Sequence, residues 1–96
     1  QDNLSQNFEK IAELLFAKAK LFDPDNTKNV EQLLYELSLK NSEVVQALNK
    51  TKASLLTRLK ASRANHNTIY WLNLYFLAQD IHEQASSNYL HYEHIH

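Results

Sequence analysis

The 96-residue sequence contains no cysteine, no glycine and no methionine, and one proline, Pro24. Without cysteine there is neither a disulfide frame nor a thiolate zinc site, which suits a reducing compartment. Tight hairpins recruit glycine, so a β-rich chain of this composition would lack its usual turn chemistry. Natural reading frames open with methionine. This chain opens at Gln1 and stops at His96 inside a polar segment, so it is expected to be an excised or processed piece of a larger protein. Charge of either sign is also lacking in excess. Ten Lys and Arg face eleven Asp and Glu for a formal net charge of −1, so no overall field draws the chain to nucleic acid, and no such partner is expected. No signal peptide is visible. The longest nearly apolar run, IYWLNLYFLA at 69–78, is half of the roughly 20 residues a membrane span needs.

What is present favours helix. Leu, Ala, Lys, Glu and Gln are abundant helix formers, and the length fits one domain, 1–96, with a modest core. The pattern predicts an all-α antiparallel bundle of three or four helices. Helix over 4–22 is expected from a stripe of Leu4, Phe8, Ile11, Leu15 and Phe22, with Ala12 and Ala19 beside it. Lys18 interrupts this stripe, its stem along the core and its charge toward water. DPDNT at 23–27 ends the helix. Pro24 disfavours helix at Asp23, and Asn26 or Thr27 is placed to cap the next helix.

A second helix starts near Lys28. Asn41 or Ser42 is able to cap a new helix there, giving four in all. The favoured alternative is one long helix over about 28–63, with a kink near 40 allowed. Its apolar seam stays in register through Leu34, Leu37, Asn41, Val44, Leu48, Thr51 and Leu55, and polar residues at seam positions set register and partner number. SRANHN at 62–67 is the next connection. The last helix, about 67–88, is apolar almost all round, with Asn73, Asp80 and Gln84 as a narrow polar strip. Such a helix is either central or docks on another chain or another part of the parent. The remaining tail, SSNYLHYEHIH, has no clear period and is expected to fray or to continue into further sequence of the parent.

The candidate site is QDIHEQASS at 79–87. His82-Glu83 begins like the zinc-protease HExxH signature, but the second histidine is replaced by Ser86. Asp80 and Glu83 lie about a turn apart with His82 pointing elsewhere, so one helix does not converge these groups on a metal. The expected roles of Asp80, His82 and Glu83 are polar contacts at a helix end, and no catalytic residue, metal or cofactor is assigned. A phosphorelay reading puts His82 or His66 forward as phosphoacceptor, but such modules place a glycine-containing patch beside the histidine. His91, His94 and His96 form a loose terminal group to which no site is assigned. Segment 50–63 carries Lys50, Lys52, Arg58, Lys60 and Arg63 and no acid, whereas the first 49 residues hold eight of the eleven acids. Either a solvated helix face or a surface for phosphates or anionic lipid headgroups fits this segregation.

LNKTKASLLTRLK (48–60), YFLAQDIHEQASSNYLHY (75–92) and FDPDN (22–26) together resemble the YccS-type branch of the fusaric-acid-resistance-like (FUSC-like) inner-membrane proteins of Gram-negative bacteria, over nearly the whole chain. The resemblance implies a multi-span inner-membrane parent of transport or efflux type. Within it, this chain would be a soluble helical segment between two membrane-embedded halves, on the cytoplasmic side. It implies no catalytic residues. The expected function is therefore non-enzymatic: packing against membrane-embedded parts of its own parent chain and self-association as a homo-oligomer. Asp80, His82 and Glu83 would orient the domain, and Arg58, Lys60 and Arg63 would face anionic lipid headgroups. The alternative is a soluble helical signalling module, acting by phosphotransfer or nucleic-acid binding.

Overall fold

The computed structural model of the chain describes residues 2–25, 29–62 and 66–95, with side chains over 3–25, 29–61 and 67–86. Three helices account for these segments: α1 (Asp2–Lys20), α2 (Val30–Ser62) and α3 (His66–Ile95). No strand occurs among the described residues. Contacts between Lys40 of α2 and Glu13 of α1, and between Thr51 and Asn7, run α1 and α2 antiparallel. Asn41 meets Ser86 while Arg58 meets Trp71, so α3 is antiparallel to α2. The molecule is elongated, 51 × 22 × 16 Å.

Local chemistry explains the ends. α1 closes with three short-range bonds in which the N–H groups of Leu21, Phe22 and Asp23 donate to the carbonyls of Lys18, Ala19 and Lys20 at 3.1, 3.1 and 3.3 Å. These tighten the last turn into 3₁₀ geometry. Asp23 Oδ1 then accepts from the Asp25 N–H at 2.9 Å, an Asx turn spanning Pro24. The cap of α2 is Asn29 rather than the expected Asn26 or Thr27, which lie outside the described residues. Asn29 Oδ1 accepts from the Gln32 N–H at 2.7 Å, three residues on, as an N-cap requires.

α2 runs unbroken through 39–42. The one-helix reading therefore holds, and the continuous helix lends no support to a kink near 40. The tail behaves differently from expectation. α3 continues to Ile95 instead of ending near 88, and no glycine or proline stands in that segment to stop it.

The core is a single cluster built from Leu4, Ile11 and Leu14 of α1, Leu37, Val44, Leu48 and Leu55 of α2, and Tyr75, Ala78 and Ala85 of α3. The α1 stripe is corrected by one position. Leu15 and Phe22, expected inside, are 45% and 61% exposed, and Leu14 is buried in their place. The buried row steps by three and four residues through Leu4, Asn7, Ile11 and Leu14. Leu15 stands 100° further round, and Phe22 lies past the helix end. α3 is not central. It buries Thr68, Tyr75, Ala78 and Ala85 but leaves Ile69, Tyr70, Phe76 and Leu77 about half exposed, because α1 and α2 cover only one side of it.

Two fully buried polar side chains sit inside this apolar cluster. Asn7 is 0% and Thr51 1% exposed. The Asn7 amide, with its NH₂ toward the backbone, donates to the carbonyls of Asn3 and Ala47, both at 3.0 Å. Thr51 Oγ1 lies 3.0 Å from the same amide and donates to the Ala47 carbonyl at 3.0 Å. No buried side-chain nitrogen or oxygen among the described residues lacks a partner. A satisfied buried pair contributes modestly to stability, and a broken one costs the full desolvation of whatever is left. Asn7→Ala is therefore expected to destabilise the fold by about 1–3 kcal/mol. Asn7→Leu combined with Thr51→Val should recover most of that loss. Urea unfolding followed by circular dichroism measures both; equal losses for the single and double variants would show that the cost is loss of the pair itself and not the desolvation of a polar group left behind.

Candidate functional site

The predicted QDIHEQASS stretch lies on α3 where that helix faces α2. Its geometry is set by the polar seam residue Asn41 on α2. Asn41 Oδ1 is a shared acceptor: His82 Nε2 lies 2.7 Å away and Ser86 Oγ donates to it at 2.9 Å. Ser86 Oγ is also 3.1 Å from His82 Nε2. With an acceptor oxygen facing the ring, Nε2 carries the proton and Nδ1 is left to receive a second one. Ser86 stands four residues after His82, one helical turn, so both reach the same point.

Sequence reasoning named His82 and noted Asn41 as a polar seam position, but it did not join them. Only antiparallel packing of α3 on α2 brings residues 41 and 82 together. The three expected site residues also part company. His82 points inward and is half-buried, whereas Asp80 and Glu83 are exposed. Asp80 lines an open groove between α1 and α3 of about 400 Å³, with Leu15, Lys18, Leu77, Ile81, Gln84 and Ala85. His82 and Glu83 line a different one between α2 and α3 of about 270 Å³, with Val45, Leu48, Asn49, Tyr75 and Gln79. Among the described residues no three His, Asp or Glu side chains come together to hold a metal ion. Of the two ring nitrogens that phosphotransfer could use, Nε2 is engaged by Asn41. His66 and His91, His94 and His96 lie where no side chain is described.

Lys18 interrupts the stripe as expected, but its charge is turned to α3 and not simply to water. Its Nζ donates to the Ala85 carbonyl at 3.2 Å, tying α1 to α3, and burial pushes its pKa below the ordinary lysine range. The basic segment is split by the turn of α2. Arg58 stacks over the Trp71 ring with its guanidinium carbon 4.6 Å from the centroid. Lys52 instead lines a hollow on the α3 side together with Leu56 and Phe76. Lys60 is exposed, and Arg63 falls outside the described residues.

One cluster escaped sequence reasoning. Lys10 and Glu13 on α1 and Lys40 and Glu43 on α2 form a square of alternating charge. Lys40 is 3.1 Å from Glu13 and 3.8 Å from Glu43; Lys10 is 3.4 Å from Glu43 and 3.7 Å from Glu13. The signal in the sequence was the pair of Lys-x-x-Glu spacings. The hydrogen bond from Lys40 lowers the Glu13 pKa and raises that of Lys40. All four side chains are a third or more exposed, so the square sets register more than it adds stability.

The whole chain, residues 1–96, matches the protein family described as FUSC-like inner membrane protein yccS. It is 45% identical over 93 residues to Inner membrane protein YccS of Escherichia coli K12, an alignment covering 97% of this chain and 13% of that protein. It is 34% identical over 95 residues to an uncharacterized protein of Haemophilus influenzae, covering 99% of this chain and 13% of that protein. The chain thus spans only 13% of the length of either relative. No solved structure matches it.

The site carries a pH signature. Burial of the ring holds the His82 pKa below its ordinary 6.5, against the opposing pull of the Glu83 carboxylate. The unfolded chain therefore takes up a proton before the folded one does. His82's contribution to stability is complete above pH 6.5 and lost as the pH falls below it. Glu13 acts lower, its contribution lost as the pH falls below 4.5. The urea midpoint is expected to drop between about pH 7.5 and 5.5 in the wild type and to drop less in His82→Gln. An identical drop in both would remove His82 as the source.

Proposed function

The chain belongs to the FUSC-like inner membrane protein family, and on that premise we propose that it is a non-enzymatic, extramembrane helical domain of a multi-span inner-membrane transport or efflux protein. It lies on the cytoplasmic side, packs against membrane-embedded parts of its own parent chain, and self-associates. The observation that carries this reading is the match of the entire chain to a family of inner membrane proteins. A second observation agrees with it: no helix among the described residues is long and apolar enough to cross a membrane. Attachment to the bilayer would then come from other parts of the parent.

The half-exposed apolar side chains on every helix, among them Phe16, Tyr35, Leu56, Tyr70 and Leu77, are more than an isolated small domain needs, and they suit a module covered by neighbours. Asp80, His82 and Glu83 serve as orienting polar contacts with divided labour. His82 fixes α3 on α2, whereas Asp80 and Glu83 face outward. Arg58, Lys60 and Arg63, in the acid-free segment 50–63, face anionic headgroups.

Fractionation of cells carrying the tagged full-length gene product tests this. The protein should stay in membranes washed with carbonate, and a fluorescent protein inserted beside this segment should fluoresce, as it does on the cytoplasmic side. A soluble parent would overturn the reading, and activity of a periplasmic phosphatase fused at the same place would reverse the sidedness.

A further inference from the structure

The outer face of α3 is built for another helix. Ile69, Tyr70, Phe76 and Leu77 are 49%, 60%, 52% and 49% exposed. At 100° per residue they flank the strip of Asn73, Asp80 and Gln84, all exposed, and together they cover the side of α3 opposite its buried row. Tyr70, Asn73, Leu77, Asp80 and Gln84 succeed one another at steps of three and four residues, the spacing of an interhelical seam.

We infer that this face pairs with the same face of a second copy, α3 against α3 in antiparallel orientation about a two-fold axis close to Leu77. The inference rests on the self-association in the proposed function and assigns its surface.

The pattern is self-complementary in this orientation only. An axis near Leu77 sets Tyr70 beside Gln84, Asn73 beside Asp80 and Leu77 against Leu77. The Asn73 amide is then placed to donate to the Asp80 carboxylate, twice, once on each side of the axis. The two Asp80 carboxylates stand about 10 Å apart along the helices at 1.5 Å per residue. Parallel pairing instead stacks Asp80 on Asp80 and Glu83 on Glu83, like charge on like charge.

The same two carboxylates argue against a lipid surface on this face, because anionic headgroups repel them. Other openings fit a helix less well. The α2–α3 hollow between Leu56 and Phe76 holds about 110 Å³. On the α1–α2 side the exposed Phe16 shares an open groove of about 660 Å³ with the charged Glu9, Glu13, Lys20 and Lys40, and the Lys20 ammonium sits 5.3 Å from its ring centroid. Four half-exposed large apolar side chains make a small contact beside the roughly 800 Å² per partner of a stable complex. The pairing is therefore weak in the isolated chain and strengthened wherever two copies are held at high local concentration.

The absence of cysteine makes the test direct, since one introduced thiol is the only one in the chain. Single variants Leu77→Cys, Tyr70→Cys and Gln84→Cys are treated with a short bismaleimide at high protein concentration, with Leu56→Cys and Phe16→Cys as probes of the other faces. Leu77→Cys should link to itself. Tyr70→Cys should not, yet it should link to Gln84→Cys when the two are mixed. In sedimentation equilibrium, Leu77→Glu should weaken the dimer at least tenfold with an unchanged melting temperature. Self-linking of Tyr70→Cys with no mixed product means parallel pairing and overturns the inference. Linking at Leu56 or Phe16 but not at Leu77 also overturns it, while leaving self-association standing. A wild type that stays monomeric at several hundred micromolar sinks the surface and the self-association together.

Discussion

Two polar positions in the seam of α2 have to find their partners at once, and the arrangement of the bundle depends on that. Leucines at seam positions accept many registers, because apolar contact is not directional. A buried amide or hydroxyl accepts few. Thr51 is satisfied where Asn7 of α1 reaches it, and Asn41 is engaged where His82 and Ser86 of α3 reach it. A slip of α1 by one turn would part Asn7 from Thr51 and from the Ala47 carbonyl, leaving each side chain only a carbonyl of its own helix, Asn3 for Asn7 and Ala47 for Thr51. The charge square of Lys10, Glu13, Lys40 and Glu43 adds a second, solvent-facing check on the same register. So α2, with one node toward each neighbour, is the element on which the other two are aligned.

The same arrangement leaves α3 two-sided. Its inner row is held by small residues, Ala78 and Ala85, and by Tyr75, so the helix lies close to α1 and α2. Ile69, Tyr70, Phe76 and Leu77 are turned outward, whereas Trp71, Leu72, Leu74 and Ile81 pack partly buried against the core. The chain belongs to a family of inner membrane proteins and is a small part of much longer relatives, and this face is the surface that the proposed packing and self-association would cover. His82 divides α3 functionally. On its side of the helix, polar groups are consumed inside the fold. On the side of Asp80 they are offered outward.

Much of this was legible in the residues. Absence of glycine together with abundant helix formers is enough for an all-α bundle. The seam from Leu37 through Val44, Leu48 and Leu55 was readable because its three- and four-residue steps run unbroken for about five turns. The end of α1 was readable because proline acts locally. The α1 stripe was misplaced by one position because Leu14 and Leu15 are adjacent and equally apolar. Periodicity does not choose between them when Asn7 occupies an interior position that a stripe search scores as polar. The tail was misread for a related reason, since lack of period says nothing of a segment whose helix is propagated from the one before it.

The sequence by itself determined the class, the helices and the family, because helix propensity, capping and motif all act over a few residues. Tertiary structure alone decided that Asn41 meets His82, that Asn7 meets Thr51, and that Asp80 and His82 serve different surfaces. Those outcomes depend on which faces of distant helices are pressed together. That in turn is settled only when every buried polar group in the bundle is paired in the same register.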